Sequence, residues 1–198
     1  MLEEFQRIGR SLFQEGIVSS HGGNLSVRVG DRILITRRGS MLGHLKEGDV
    51  VETGVESDDW GITLASSEIG VHRAIYRATS GLAIVHAHPP HAVALSLLQD
   101  EIIPVDSEAS YLLHRVPVVA TEHTVGSAEV EKVVPQALQE YKIVMLRGHG
   151  SFAIGQFLEE AYQWTSVLET AARIIAILRG LGGEVKEYRR GSGEYRRW

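Results

Sequence analysis

The stretch Leu82-Ala83-Ile84-Val85-His86-Ala87-His88-Pro89-Pro90-His91 decides how this chain is to be read. A short apolar run reads as a buried strand, and two prolines end it, because proline gives the ladder no N–H. His86 and His88 therefore stand at a strand's functional edge. Side chains two apart on a strand project from the same face, where two imidazoles are able to grip one ion. On spacing alone the pair is only suggestive, since two incidental surface histidines fit the same pattern.

Working outward, Ser66 or Ser67 caps a helix with Glu68 in its first turn, and the face Ile69, His72, Tyr76 continues to about Ala78. Further upstream, Leu25, Val27, Val29 and Ile33, Ile35 alternate around Gly30-Asp31 and predict a hairpin. Leu2, Phe5, Ile8, Leu12 and Phe13 predict a helix over 2–15, and another strand falls near Asp49–Thr53. Downstream, a helix covers His91–Leu98. Val116–Ala120, Lys142–Leu146 and Phe152–Ile154 are strand candidates, with a helix over about Ala128 to Tyr141. The longest helix runs from Leu158 to Leu178 and stops at Gly180-Leu181-Gly182-Gly183. Alternating strands and helices indicate a three-layer α/β or mixed-sheet domain, and the hairpins exclude a purely parallel sheet. Residues 1–183 form one domain, followed by a basic, aromatic tail at 184–198.

Composition narrows the chemistry. The chain has 198 residues, 43% of them hydrophobic, with 20 Lys+Arg against 25 Asp+Glu, nine histidines and no cysteine. Without cysteine, any metal must rest on imidazole or oxygen. A formal charge of −5 argues against nucleic acid as the main partner. No segment approaches the roughly 18 uninterrupted apolar residues of a membrane span, and the acidic start is unlike a secretory signal, so a cytoplasmic protein is expected.

A third imidazole is available from His149 in Arg147-Gly148-His149-Gly150, directly after another apolar strand, where glycines let the chain turn. Three histidines at two strand ends would make a site with an open position for water or substrate, as catalytic zinc requires; a plain turn histidine is the competing reading. Glu68 is either a helix-dipole or capping carboxylate, or a general base or displaceable fourth ligand. His72, one turn later, is a core residue or one that orients Glu68. His91 is a packing or outer group, and His21, His44, His114 and His123 fall to the surface. Gly22-Gly23-Asn24, Ser66-Ser67 and Thr36-Arg37-Arg38-Gly39-Ser40 each offer amides, hydroxyls or guanidinium to an anion. The chain carries a single asparagine, Asn24, within the first of these.

Taken in order, Gly23-Asn24-Leu25-Ser26, Ile35-Thr36-Arg37-Arg38-Gly39, Ser66-Ser67-Glu68, His86-Ala87-His88-Pro89-Pro90-His91 and Gly148-His149-Gly150 resemble the class II aldolase/adducin family, in particular its L-fuculose-1-phosphate aldolase-like branch. The resemblance covers nearly the whole chain. It implies an αβα domain with a central, mainly antiparallel sheet, assembled as a homotetramer with sites at subunit interfaces. It also implies that His86, His88 and His149 hold Zn2+, with Glu68 near or on the metal; Mn2+, Co2+ or Fe2+ are able to occupy such sites.

By the same resemblance Gly23, Asn24, Gly39, Ser66 and Ser67 cradle the phosphate of dihydroxyacetone phosphate. Arg38 stands where the family has a hydroxyl residue, so a guanidinium would join them. The implied reaction is cleavage of a ketose 1-phosphate to dihydroxyacetone phosphate and an aldehyde through a zinc-stabilised enediolate, with Glu68 moving the proton. The family's second acid is a tyrosine from a neighbouring subunit. Here Glu108 aligns with it and Tyr111 follows three residues later, leaving both as candidates. Epimerases and dehydratases of sugar phosphates share the metal cradle, and the adducin branch serves as a noncatalytic interaction module.

Overall fold

In a computed structural model, residues 1–182 are described, and the tail at 184–198 lies outside them. Helix α1 (Leu2–Gln14) opens the chain, followed by strands β1 (Asn24–Val29), β2 (Arg32–Thr36) and β3 (Val50–Gly54). Helix α2 (Ile69–Ala78), strand β4 (Ala83–Ala87) and helix α3 (Pro90–Ser96) come next. Then follow β5 (Glu101–Ile102), α4 (Ser107–Leu112), β6 (Val116–Val119), α5 (Val130–Leu138), β7 (Ile143–Leu146), β8 (Gly150–Gly155) and α6 (Leu158–Leu181).

The strands form one eight-stranded sheet in the order β3-β2-β1-β4-β8-β7-β6-β5. Every pairing is antiparallel except β6 with β7. The expected mainly antiparallel, three-layer αβα architecture is therefore what the chain adopts. The predicted hairpin around Gly30-Asp31 is present, with Val29 opposite Arg32. Two small elements, β5 and α4, have no counterpart in the sequence pattern, being too short to carry a period. The last helix passes through Gly180 and ends at Gly182, whose φ of +64° supplies the left-handed cap, so the stop falls three residues later than expected.

Each face of the sheet buries its own core, because side chains alternate across it with period two. On one face Ala83, Val85 and Ala87 of β4 pack with Phe5, Ile8 and Leu12 of α1 and with the buried stripe of α6. On the other, Ile84 and Phe152 meet Val71, Ile75 and Tyr76 of α2 and Val130, Val134 and Leu138 of α5. Parity places His86 on this second face with Ile84. It places Asn24 and Ser26 there too, because Leu25 between them belongs to the first core. α2 lies over this face, so its residues at four-residue spacing, Glu68, His72 and Tyr76, look down onto Asn24, Ser26 and His86. That juxtaposition makes the site.

Just past His88 in the chain, the backbone N–H groups of His91 (3.1 Å) and Ala92 (3.2 Å) donate to the buried Glu169 of α6, which also pairs with His91 Nδ1 at 2.6 Å. His91 thus has the packing role expected of it, anchoring the chain just after β4. Among the described residues no helix is long and apolar enough to cross a membrane.

A three-histidine cleft with a buried carboxylate

His86 is the central group of the site. It is 1% exposed and stacks on Phe152, with ring centroids 4.1 Å apart and planes 19° apart. Its Nδ1 donates to the carbonyl of Ser151 at 2.9 Å, a partner fixed by the pairing of β4 with β8. That bond selects the tautomer: the proton sits on Nδ1 and the lone pair of Nε2 faces the cleft. His149 repeats the device, donating from Nδ1 to Thr124 O at 2.6 Å. Gly148, at φ +67°, makes the turn that brings His149 inward between β7 and β8. His88 completes the group with its Nε2 3.0 Å from that of His86. One nitrogen from each of the three rings lies within 4.8 Å of the other two.

Glu68 reaches the same point. Its carboxylate does not cap α2; it is 3% exposed, with Oε2 2.8 Å from Asn24 Nδ2 and 3.0 Å from His86 Nε2. Oε1 lies 3.9 Å from His149 Nε2, is buried, and has no hydrogen-bond partner among the described residues. Nitrogen lone pairs and carboxylate oxygens crowded in this way repel one another unless a cation or protons lie between them. Three imidazoles and a carboxylate with an unpartnered oxygen are the donor set of a divalent metal site with room for another ligand, and these residues fit such an ion. The two fixed Nδ1–H bonds are the outer partners that metal-bound histidines typically have.

Burial governs the protonation of the cluster. It pushes His88 down to about 3, aided by His86 and His149, and it lowers His149 as well. Both rings are neutral donors at ordinary pH. For Glu68 burial raises the pKa, but His86, the amide of Asn24 and His149 together outweigh it, and the carboxyl stays well below its usual range.

Around this centre lies a cleft of about 210 Å3, lined by Gly23, Asn24, Arg38, Gly39, Ser66, Ser67, Glu68, His86, His88 and His149. All the residues expected to meet a phosphate therefore line the same cleft as the imidazoles. Gly23 has φ +77°, and a Cβ there would stand 2.6 Å from His86 O, so only glycine lets the chain entering β1 approach β4 this closely. Arg37 is occupied by Asp49, 2.8 Å away, whereas among the described residues Arg38 has no side-chain partner. Asn24, expected to face the anion, is also engaged inward, where its carbonyl meets His72 and one amide hydrogen meets Glu68.

Glu108 and Tyr111, the candidates for a second acid, are exposed on α4 and do not line this cleft in their own chain. His21, expected at the surface, is exposed but lines the cleft. His44 and His123 are exposed, and His114 is half-buried at φ +56°. Sequence reading misses Val125, which joins the cleft lining, and the carbonyls of Thr124 and Ser151 that orient the rings. No residue type advertises a backbone carbonyl.

The neutral buried histidines make a signed prediction. His72, wholly buried, is pushed down to about 3, below its unfolded value of 6.5, so only the unfolded chain gains its proton as pH falls below 6.5. The stabilisation is present above that value and lost on acidification, and His88 and His149 act in the same direction. Glu68, lowered, also loses its contribution on acidification, at still lower pH. Urea unfolding of metal-free protein should give a free energy lower by about 1 kcal/mol or more at about pH 5.5 than at about pH 7.5. Stability that is flat or rises toward the acid side would contradict buried neutral imidazoles.

Comparison with known proteins agrees with this geometry. The family described as Class II Aldolase and Adducin N-terminal domain matches residues 3–176. The L-fuculose phosphate aldolase of Methanocaldococcus jannaschii is 31% identical over 173 residues, covering 87% of this chain and 93% of its own. The 3-oxo-tetronate 4-phosphate decarboxylase of Escherichia coli is 30% identical, covering 89% of this chain and 86% of its own. Among solved structures, the L-fuculose-1-phosphate aldolase of Thermus thermophilus superposes with a TM-score of 0.87 at 38% identity, covering 92% of this chain and 95% of that one. With both the fold and nearly the full length matched, the chain belongs to the class II aldolase and adducin N-terminal domain family.

Proposed function

We propose that the protein is a metal-dependent aldolase that reversibly cleaves a ketose 1-phosphate of the L-fuculose 1-phosphate type to dihydroxyacetone phosphate and an aldehyde. The observation that carries this reading is the convergence of three imidazole rings on a buried carboxylate, in a cleft also lined by glycine, serine and arginine residues suited to an anion. His86, His88 and His149 would hold the ion, zinc being favoured by imidazole ligation. The ion, when bound, supplies a Lewis acid that polarises the ketone and offsets the negative charge that carbon–carbon cleavage leaves on the substrate.

The chain's own groups do the rest. Glu68 is ionised at neutral pH, and its Oε1 takes the proton from the hydroxyl-bearing carbon of dihydroxyacetone phosphate in the synthetic direction and returns it after cleavage. The amides of Gly23 and Gly39, the hydroxyls of Ser66 and Ser67 and the remaining amide hydrogen of Asn24 receive the phosphate, and Arg38 adds a guanidinium to it. The cleft's volume suits a small phosphorylated fragment rather than a large ligand. Tyr111, 46% exposed, and Glu108 serve as second acid only at the site of a neighbouring copy, as in the homotetramer implied by the family resemblance.

A second reading has a specific support: relatives named 3-oxo-tetronate 4-phosphate decarboxylases are 30% and 31% identical to this chain, the same level as relatives named aldolases. Losing CO2 from an oxo acid phosphate also leaves negative charge beside a carbonyl, so the same groups serve both reactions. Epimerase and dehydratase chemistry stays within the same cradle. A noncatalytic module is disfavoured, because it has no use for the ligand set and Glu68 together.

The deciding experiment incubates metal-loaded protein with dihydroxyacetone phosphate and a panel of small aldehydes and, separately, with 3-oxo-tetronate 4-phosphate. New ketose phosphates are expected. CO2 release without aldol product would transfer the assignment to a decarboxylase, and inertness toward both would overturn the enzyme reading. Glu68→Gln should keep the metal yet stop solvent exchange of the dihydroxyacetone phosphate proton; persistent exchange removes Glu68 as the base. Arg38→Ala should raise the KM for dihydroxyacetone phosphate by about tenfold with kcat little changed. An unchanged KM would take Arg38 out of the phosphate wall.

A further inference from the structure

Behind Glu68, away from the cleft, runs a line of buried polar side chains that the proposed reaction does not use. Tyr76 Oη lies 2.7 Å from Ser26 Oγ, which lies 2.6 Å from His72 Nδ1. His72 Nε2 lies 2.5 Å from Asn24 Oδ1, and Asn24 Nδ2 lies 2.8 Å from Glu68 Oε2. Tyr76, Ser26 and His72 are at most 1% exposed, and Asn24 is 6% exposed. Unlike Asn24, none of those three lines the cleft.

The direction of every bond in this line follows from the charge at its end. An ionised carboxylate only accepts, so the amide nitrogen of Asn24 must face Glu68 and its carbonyl must face His72. His72 Nε2 must then carry a proton, because two acceptors 2.5 Å apart would repel. Complete burial without a carboxylate in contact keeps the ring neutral, which leaves Nδ1 as an acceptor. Ser26 therefore donates to Nδ1, and Tyr76, itself a buried neutral phenol, donates to Ser26. With the ring neutral, each alternative leaves a buried polar group facing one of its own kind, at a cost comparable with a lost hydrogen bond.

We infer that Tyr76, Ser26 and His72 form a one-way hydrogen-bond chain that locks the amide of Asn24 onto Glu68 Oε2, so that Oε1 is always the oxygen presented to the substrate. His72, Ser26 and Tyr76 are in this sense positioning residues. They keep the carboxylate from rotating and keep Asn24 from inverting when an anion binds beside it. The role of Oε1 rests on the aldolase reading; the order of protons in the chain does not.

Two measurements separate these parts. Neutron diffraction from deuterium-exchanged crystals of the metal-loaded protein should place deuterium on His72 Nε2 and none on Nδ1, with the Ser26 hydroxyl directed at the ring. Deuterium on Nδ1 would overturn the chain. In solution, Ser26→Ala should slow proton exchange at dihydroxyacetone phosphate by about tenfold, with KM and bound metal unchanged. Tyr76→Phe, one link further from Glu68, should slow it less, although it alters the larger side chain. Unchanged exchange in both variants, or a loss that appears in KM and metal content instead, would overturn the positioning role. Should the unaltered protein exchange no proton at all, the aldolase reading fails while the neutron result still decides the chain.

Discussion

Two hydrogen bonds to backbone carbonyls, from His86 Nδ1 to Ser151 and from His149 Nδ1 to Thr124, are the constraint on which the site depends. By holding the protons on Nδ1 they turn the Nε2 lone pairs toward one point, which the chain has lined with imidazole nitrogen and carboxylate oxygen. Nothing in a neutral hydrocarbon core would hold these groups together. Their proximity makes sense as a cavity for a cation, and the buried Oε1 of Glu68, without a hydrogen-bond partner among the described residues, is its most direct sign. The same burial that keeps His88 and His149 neutral keeps them available as donors, since a metal there competes with few protons.

The fold supplies this constraint through parity and register. β1, β4 and β8 run side by side, so Asn24 stands opposite His86, and His86 opposite Phe152. Period two turns these three side chains to the face covered by α2, and period 3.6 aligns Glu68, His72 and Tyr76 above them. A one-residue slip of β1 against β4 would send Asn24 and Ser26 into the opposite core, taking the Asn24 amide from Glu68 and both hydrogen-bond partners from His72. The remaining strands and α6 act at a distance, as where Glu169 fixes the backbone just beyond His88.

Much of this is legible from residues alone, for a physical reason. His86 and His88 carry a strand signal and a ligand signal in the same seven residues, 82–88, and His149 follows another apolar strand at a glycine turn. The residues proposed to meet a phosphate stand out only as a set, because a glycine-rich turn or a serine at a helix start is by itself ordinary turn and cap chemistry. What escapes reading depends on partners remote in sequence. The carbonyls of Ser151 and Thr124 are invisible as residue types, and α4 and β5 are too short for any period to register. Asn24 shows the limit best. Its glycine-rich turn points to a phosphate ligand, while its engagement with His72 and Glu68 follows from the β1–α2 packing, which no local pattern encodes. The stripe at 68, 72 and 76 facing that at 24 and 26 is the available signal.

The central claim is that His86, His88 and His149 form one cation site with Glu68 at its edge. It is tested most directly by metal analysis of protein stripped with chelator, reloaded with zinc and freed of excess ion, alongside His149→Ala. One tightly held divalent ion per chain is expected, lost in the variant while the fold is retained. A protein that takes up no ion, or a variant that keeps it undiminished, would contradict the claim.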